Sequence, residues 1–187
     1  MSPRSPEPSP LPDGLVYREE FLTTEEERAL QDLLDALDFR PVVMRGRTAR
    51  RSVRHFGLEY SYQRRELAPA DPLPEEMLRL RDRCALLMRR DPQDLVQVLV
   101  GRYPAGAGIG WHRDAPIFER IAGVSLLTPC RMRFQRGSGD ERSVAEIDLA
   151  SRSAYLMSRD VRWEWQHSIP ATKSLRYSIT FRTLREE

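Results

Sequence analysis

The spacing of hydrophobic residues changes near Asp94. Ahead of that point Leu30, Leu33, Leu34 and Leu37 recur at helical intervals. The Thr-Thr-Glu-Glu-Glu run before them has the form of a capping box, with Thr23 three residues before Glu26 and Thr24 three before Glu27. A second helix is predicted from Pro74 to Arg90, carrying Met77, Leu78, Cys84, Leu87 and Met88. Gly14 opens LVYREEFL, a predicted first strand. Beyond Asp94 the segments LVQVLVGRY, RIAGVSLLT, RMRFQ, SVAEIDL, SAYLMS and RYSITFRTL are short, rich in β-branched and aromatic residues, and separated by Gly, Pro, Ser or Asp. That pattern predicts roughly eight strands. Helices followed by a strand series give an α+β class, most simply helices buttressing an antiparallel sandwich or jelly roll. Internal repeats and Rossmann-type alternation are absent from the sequence.

A chain of 187 residues fits one domain at about 150 residues per domain. Residues 1–13 hold five of the fourteen prolines and three serines, a composition that need not fold, so a disordered tail is expected there and one domain over 14–187. Charged residues make up 31% and apolar residues 40%, which implies an economical core and a polar surface. A net charge of +2 is too even for an indiscriminate polyanion binder, so local charge must decide any nucleic-acid role. Lys173 is the only lysine among 30 basic residues. Arginine suits carboxylate and phosphate recognition, although a compositional bias towards Arg accounts for the excess as well. Cys84 and Cys130 form no C-x-x-C pair and nothing resembles a secretory signal, so a reducing cytoplasm is expected. No apolar run approaches the roughly 18 residues of a membrane span, and a monomer away from membranes is expected.

Chemistry concentrates in two places. In GIGWHRD, His112 and Asp114 are one residue apart and share a face of an extended strand, while His167 in WQHSIP can arrive from a neighbouring strand. Two histidines and a carboxylate with coordination positions left open are the arrangement expected of non-haem Fe(II) oxygenases. The same residues also read as a packed strand histidine, a turn aspartate and a capping histidine. In RYSITFR, Arg176 and Arg182 stand an even number of residues apart, on one strand face with Ser178 and Thr180. Tyr177, Ile179 and Phe181 form the opposite, apolar face. Two arginines on a covered face call for anionic partners, which a dicarboxylic acid beside a metal would supply. The alternative is an exposed face with solvated arginines.

Taken together, GRYPAGAGIGWHRD, VSLLTPCRMRF, RSAYLMS, WQHSIP and RYSITFR, in this order and spacing, resemble the AlkB-type branch of the Fe(II)- and 2-oxoglutarate-dependent dioxygenases. The resemblance is firm over residues 95–183, the expected metal and cosubstrate core, and loose over 14–94. It implies a double-stranded β-helix (jelly roll) with supporting N-terminal helices, and Fe(II) with 2-oxoglutarate and dioxygen as cosubstrates. His112, Asp114 and His167 correspond to the iron ligands, and no catalytic residue is implied beyond them. Arg176 corresponds to the arginine that pairs with the distal carboxylate of 2-oxoglutarate, Arg182 to a second one near the metal-bound end, and Tyr103 to a tyrosine that hydrogen-bonds the cosubstrate; Ser178 joins this set. The implied chemistry is oxidative dealkylation, in which an N-alkyl carbon is hydroxylated and lost as an aldehyde. Two departures stand out. Gly101 replaces an Asn of the bacterial repair members, and Pro116 replaces a carboxylate that helps read a damaged base.

In that family the segment before the metal motif forms a lid, expected here at about residues 40–65. It holds Arg45, Arg47, Arg50, Arg51 and Arg54 with His55, Phe56, Tyr60 and Tyr62. Arginines neutralise phosphates and aromatic faces stack an unpaired base, so Arg50, Arg51, Arg54, His55, Phe56, Tyr60 and Tyr62 are candidate substrate-binding residues. The alternative is a hairpin with solvated arginines and aromatics packed on the sheet, with His55 a structural hydrogen-bonding residue. Trp163 and Trp165 are expected on one strand face as packing residues. In GAGIG, Trp111 occupies the last glycine position of a G-x-G-x-x-G motif and a strand follows, so the glycines are read as a tight turn and not as a nucleotide loop. The expected substrate is single-stranded or flipped-out nucleic acid, RNA ahead of DNA. The same chemistry on a protein side chain or small molecule is the alternative, and a non-catalytic Arg-rich binding module the second.

Overall fold

The capping box forms as its spacing requires. Thr23 Oγ1 accepts from the amide of Glu26 and the Glu26 carboxylate accepts from the amide of Thr23, which starts helix α1 (Thr24–Asp35) and turns Leu30 and Leu34 inward. The second predicted helix begins with a 3-10 turn at Glu75–Met77 and runs on as α2 (Leu78–Met88). This computed structural model describes residues 11–44, 46–61 and 64–186; most of the proline-rich stretch, Arg45 and Tyr62 lie outside them. The strands are β1 (Leu15–Arg18), β2 (Arg40–Met44), β3 (Arg47–Phe56), β4 (Leu58–Ser61), β5 (Glu66–Pro69), β6 (Leu95–Tyr103), β7 (Ile109–His112), β8 (Phe118–Leu127), β9 (Cys130–Arg136), β10 (Ser143–Leu149), β11 (Ser153–Met157), β12 (Gln166–Ile169) and β13 (Arg176–Leu184). A short helix, α3 (Arg159–Trp163), precedes β12.

The strands build a sandwich. A major sheet runs β1-β11-β8-β13-β6-β3-β2, a minor sheet β10-β9-β12-β7, and β4 and β5 form a separate hairpin. Every recorded pairing is antiparallel. Alternation along β13 explains the layering. Tyr177, Ile179 and Phe181 face one way, into a core shared with Leu30 and Leu34 of α1 and Leu80, Cys84 and Met88 of α2. Arg176, Ser178, Thr180 and Arg182 face the other, towards the minor sheet. A second apolar cluster, with Ile121, Met132, Phe134, Ile147 and Trp165, fills the space between the sheets. The helices therefore cover one face of the major sheet and leave the other for the site. This is the double-stranded β-helix architecture expected of the sequence.

Three details differ from expectation. Order begins before Gly14, since Pro12 is buried and the Asp13 carbonyl accepts from the amide of Val161. The first strand stops at Arg18, and Leu22 beyond it packs into the core. In the arginine-rich segment expected as a lid, β2 and β3 form a hairpin, and β3 is held between β6 and β2 within the major sheet, with Val53 and Phe56 buried. Trp163 and Trp165 do not share a strand face. Trp163 ends α3 between the guanidinium groups of Arg162 and Arg185, and Trp165 is buried between the sheets.

One buried carboxylate joins α1 to the sheet. Glu27 accepts from the Leu127 amide (2.8 Å), from Ser151 Oγ and from Arg152 Nη1 (3.4 Å). Glu27→Ala leaves these donors without their acceptor, and buried donors stripped of a partner cost roughly 1–3 kcal/mol. Urea denaturation should show a loss of that size, with Glu27→Gln intermediate; an unchanged midpoint for Glu27→Ala would show that the tie carries no stability.

Candidate functional site

The minor sheet brings two histidines side by side. His112 on β7 is the direct cross-strand partner of His167 on β12, and their ring centroids are 4.2 Å apart. Asp114 follows the end of β7, with its Oδ2 at 3.4 Å from Nε2 of His167. One ligating atom from each of His112, Asp114 and His167 falls within 4.8 Å of the others. Nδ1 of His112 lies 2.8 Å from the Gly110 carbonyl. Since a carbonyl only accepts, Nδ1 carries the proton and Nε2 keeps the lone pair a metal needs.

Charge around this set is organised by β13. Arg182 places Nη2 at 2.6 Å from Asp114 Oδ1 and Nη1 at 2.7 Å from Oε1 of Gln97, its cross-strand neighbour on β6. Burial alone would raise the Asp114 pKa, but Arg182 above all, then His167, His112 and Arg162, outweigh it and hold the carboxyl well below the usual carboxylate range. For His167 burial is the main cause and His112 adds to it, while Asp114 opposes them; the result is a pKa pushed down to about 3. The set is therefore one anion with a buried neutral imidazole, the protonation states that metal ligation requires. Arg162 on α3 fixes the loop that follows Asp114. This buried arginine donates to the carbonyls of Ala115 (2.6 Å) and Phe118 (2.7 Å).

Arg176, at the other end of the same strand face, is bonded quite differently. It is fully buried, its Nε donates to Ser125 Oγ at 3.0 Å, and both terminal nitrogens lack a partner. Its guanidinium carbon lies 5.1 Å from the centroid of the Tyr103 ring. A charged group so enclosed is costly unless an anion meets it, and two parallel N–H groups match a carboxylate.

These groups line one cavity of about 310 Å³ between the sheets. His112, Asp114 and His167 lie on one wall, and Tyr103, Arg176, Ser178, Thr180 and Arg182 on the other. A larger open groove beside β1, α2 and α3, about 930 Å³, has no comparable ligating set. Of the candidate substrate residues, Arg51, His55 and Tyr60 reach the cavity. Arg50 does not line it, and its Nη1 stands over the tight turn at Gly106, where φ is +80°. Arg54 is paired with Asp71, and Phe56, 3% exposed, belongs to the helix-side core; both differ from expectation because β3 alternates and turns them away. His55 is held neutral, with its pKa lowered chiefly by burial, and its Nδ1 has no partner. Sequence reasoning missed Tyr155, Arg40 and Glu59 as cavity-lining residues, and also Gln97, Ser125 and Arg162, which do not line it but hold Arg182, Arg176 and the loop after Asp114. None is signalled locally, since each acquires its place only through register or a long-range contact.

Comparison with known proteins agrees with this geometry. Residues 14–182 match the 2OG-Fe(II) oxygenase superfamily. The chain is 30% identical over 172 residues to a Xenopus tropicalis protein named tRNA (carboxymethyluridine(34)-5-O)-methyltransferase alkbh8, covering 87% of this chain and 26% of that one. It is 31% identical over 208 residues to the Alkylated DNA repair protein ALKBH8 homolog of Arabidopsis thaliana, covering 92% of this chain and 58% of the relative. The chain thus spans between about a quarter and somewhat over half of the length of these relatives. The solved structure of OsALKBH1 superposes with a TM-score of 0.73 at 14% identity over 92% of this chain and 98% of that one, a likeness of fold. Among the described residues no helix is long and apolar enough to cross a membrane.

The depressed His167 pKa has a consequence for the metal-free protein. An unfolded imidazole takes up its proton near the ordinary 6.5, the folded one only near 3, so the unfolded state binds more protons between these values. Stability is then fully present above about pH 6.5 and falls as the pH drops towards 3, by at most about 1.4 kcal/mol per pH unit for one proton. Urea midpoints across this range should fall in the wild type and fall less steeply in His167→Gln; equal slopes would mean that His167 ionises in the folded protein as it does unfolded.

Proposed function

Because the chain belongs to the 2OG-Fe(II) oxygenase superfamily, in its AlkB-like branch, we propose that it binds Fe(II) through His112, Asp114 and His167 and 2-oxoglutarate through Arg176, with Tyr103 and Ser178 beside it. As a dioxygenase it oxidises an alkyl group on a nucleic-acid base, with RNA ahead of DNA. The observation that carries this reading is the pair of partnerless terminal nitrogens on fully buried Arg176, in the same cavity as two imidazoles and a carboxylate of ligating geometry. Both observations fit the residues to the groups the family uses.

Fe(II) and 2-oxoglutarate together supply oxidation of a C–H bond by dioxygen, with the cosubstrate converted to succinate and carbon dioxide. The chain's own contribution is positional and electrostatic. Arg176 selects a dicarboxylate by presenting two parallel donors. Arg182 keeps the Asp114 carboxyl ionised and fixed, and so acts on the metal ligand. Gly110 fixes the tautomer of His112, and Arg162 holds the Asp114–Phe118 loop in place. When the oxidised carbon is bonded to nitrogen, the hydroxylated product loses an aldehyde.

The substrate reading draws on the mouth of the cavity, where Arg40 and Arg51 supply positive charge and Tyr60 an aromatic face. It also draws on relatives whose names refer to tRNA and to alkylated DNA. Arg54 and Phe56 take no part in it, being paired or buried.

Two measurements test the proposal. Iron-dependent formation of succinate should be abolished in Asp114→Ala, and Arg176→Lys should raise the 2-oxoglutarate concentration for half-maximal turnover about tenfold to a hundredfold, since charge-assisted hydrogen bonds contribute roughly 1.5–3 kcal/mol. Full turnover in Asp114→Ala would refute the ligand set. Single-stranded RNA carrying N-alkylated bases should stimulate turnover and lose alkyl groups, and Arg51→Gln should weaken its binding and lower the salt slope by about 0.7 for each phosphate contact removed. Stimulation by peptides and not by RNA or DNA would move the substrate to a protein side chain.

A further inference from the structure

Two glycines of the major sheet each have a tyrosine laid over them, and Gly101 and both tyrosines line the cavity. On β6, a Cβ added to Gly101 would meet Cε2 of Tyr103 at 2.9 Å and Oγ of Ser178 at 3.0 Å. On β8, a Cβ added to Gly123 would meet Cζ of Tyr155 at 2.2 Å and its hydroxyl oxygen at 2.4 Å. Gly101 pairs with Ser178 and Gly123 with Thr180, so the glycines flank β13 from opposite sides. Tyr155 is rooted on β11, directly across from Gly123. The missing side chain at 123 lets its phenol lie across β8 towards the row of polar residues on β13.

We propose that Tyr155 is a second cosubstrate-binding tyrosine, whose hydroxyl donates to a carboxylate of 2-oxoglutarate held by Arg176. The inference rests on reading the cavity as a 2-oxoglutarate site. Three features support it. First, Tyr155 lines the cavity and is 5% exposed; its charged and ionisable neighbours are, in order of influence, Arg176, Asp114, Tyr103 and Arg182. It thus shares the cavity with both the metal-ligand wall and the orphaned guanidinium. Second, a carboxylate offers about four lone-pair sites, and the two terminal nitrogens of Arg176 fill only some of them, so further donors are needed in a place closed to bulk water. Third, the phenol keeps its proton at all ordinary pH values, because burial raises its pKa, and so remains a donor.

This arrangement also accounts for Gly101. A side chain there would run into Tyr103 and Ser178, so an amide donor cannot be accommodated at that position without moving them. The donor comes instead from the opposite flank, through Tyr155, and Gly123 is the residue that makes room for it.

The test is equilibrium binding of 2-oxoglutarate to the Mn(II)-loaded protein by calorimetry, with Mn(II) affinity and thermal midpoint measured alongside. Tyr155→Phe, which removes only the hydroxyl, should weaken 2-oxoglutarate about tenfold with Mn(II) affinity and midpoint close to wild type. Gly123→Ala should weaken 2-oxoglutarate as well, by pushing the phenol away, and in a Tyr155→Leu background the same alanine should cause little further loss. An unchanged affinity in Tyr155→Phe overturns the assignment while the cosubstrate site stands. If the wild type itself fails to bind 2-oxoglutarate, the reading of the cavity falls and this inference with it.

Discussion

An ion pair bridges the two sheets of the sandwich. Arg182 rises from the major sheet to Asp114 at the end of a minor-sheet strand, with both side chains 8% exposed. Such a pair is expensive to desolvate, and losing one partner strands the other charge at a cost of roughly 3–5 kcal/mol. The chain retains it and adds Gln97 to take the second terminal nitrogen of Arg182. The result is a carboxylate held ionised and aimed beside His112 and His167. Arg182 thus has both terminal nitrogens engaged and only its Nε without a partner, whereas Arg176 keeps both of its terminal nitrogens unpartnered. Under the proposed function, two arginines six positions apart on one strand divide between holding a metal ligand and receiving a dicarboxylate.

The surface follows the same division. On the outer face of the minor sheet, Arg131 pairs with Glu146 and Asp148, and Arg136 with Glu164. Those arginines neutralise their own neighbours. At the cavity mouth Arg40 and Arg51 stand near one carboxylate besides Asp114 among the described lining residues, Glu59. A chain whose net charge is only +2 can therefore present local positive charge at the cavity mouth, as the proposed nucleic-acid substrate requires.

What the sequence made legible was local. The capping box at Thr23, the strand series after Leu95, the shared face of Arg176 and Arg182 and the short H-x-D spacing all follow from periods of a few residues. Arg176 and Arg182 could be paired because they share one strand, and His112 with Asp114 because they are near neighbours in sequence, whereas His167 comes from a different strand, β12. What stayed hidden depends on register between distant segments. That Arg182 meets Asp114, that Glu27 ties α1 to Leu127, and that Tyr155 lies on Gly123 leave no local trace. The arginine run of β3 gave no sign that the β2–β3 hairpin joins the major sheet beside β6, because its polar residues outnumber Val53 and Phe56. The i, i+2 spacing of Trp163 and Trp165 imitated a strand where a short helix ends at Trp163 and β12 begins only at Gln166.

The central claim is that one molecule of 2-oxoglutarate joins the metal triad to Arg176. Binding at two ends of a shared ligand is reciprocal, so the dicarboxylate must tighten metal binding by the same factor that metal tightens the dicarboxylate. The direct measurement is Mn(II) affinity by equilibrium dialysis, with and without saturating 2-oxoglutarate, in wild type and Arg176→Lys. The account predicts that 2-oxoglutarate tightens Mn(II) binding in the wild type, and that at the same concentration the variant binds the metal alone normally but gains much less. Mn(II) affinity that is indifferent to 2-oxoglutarate in the wild type would contradict it.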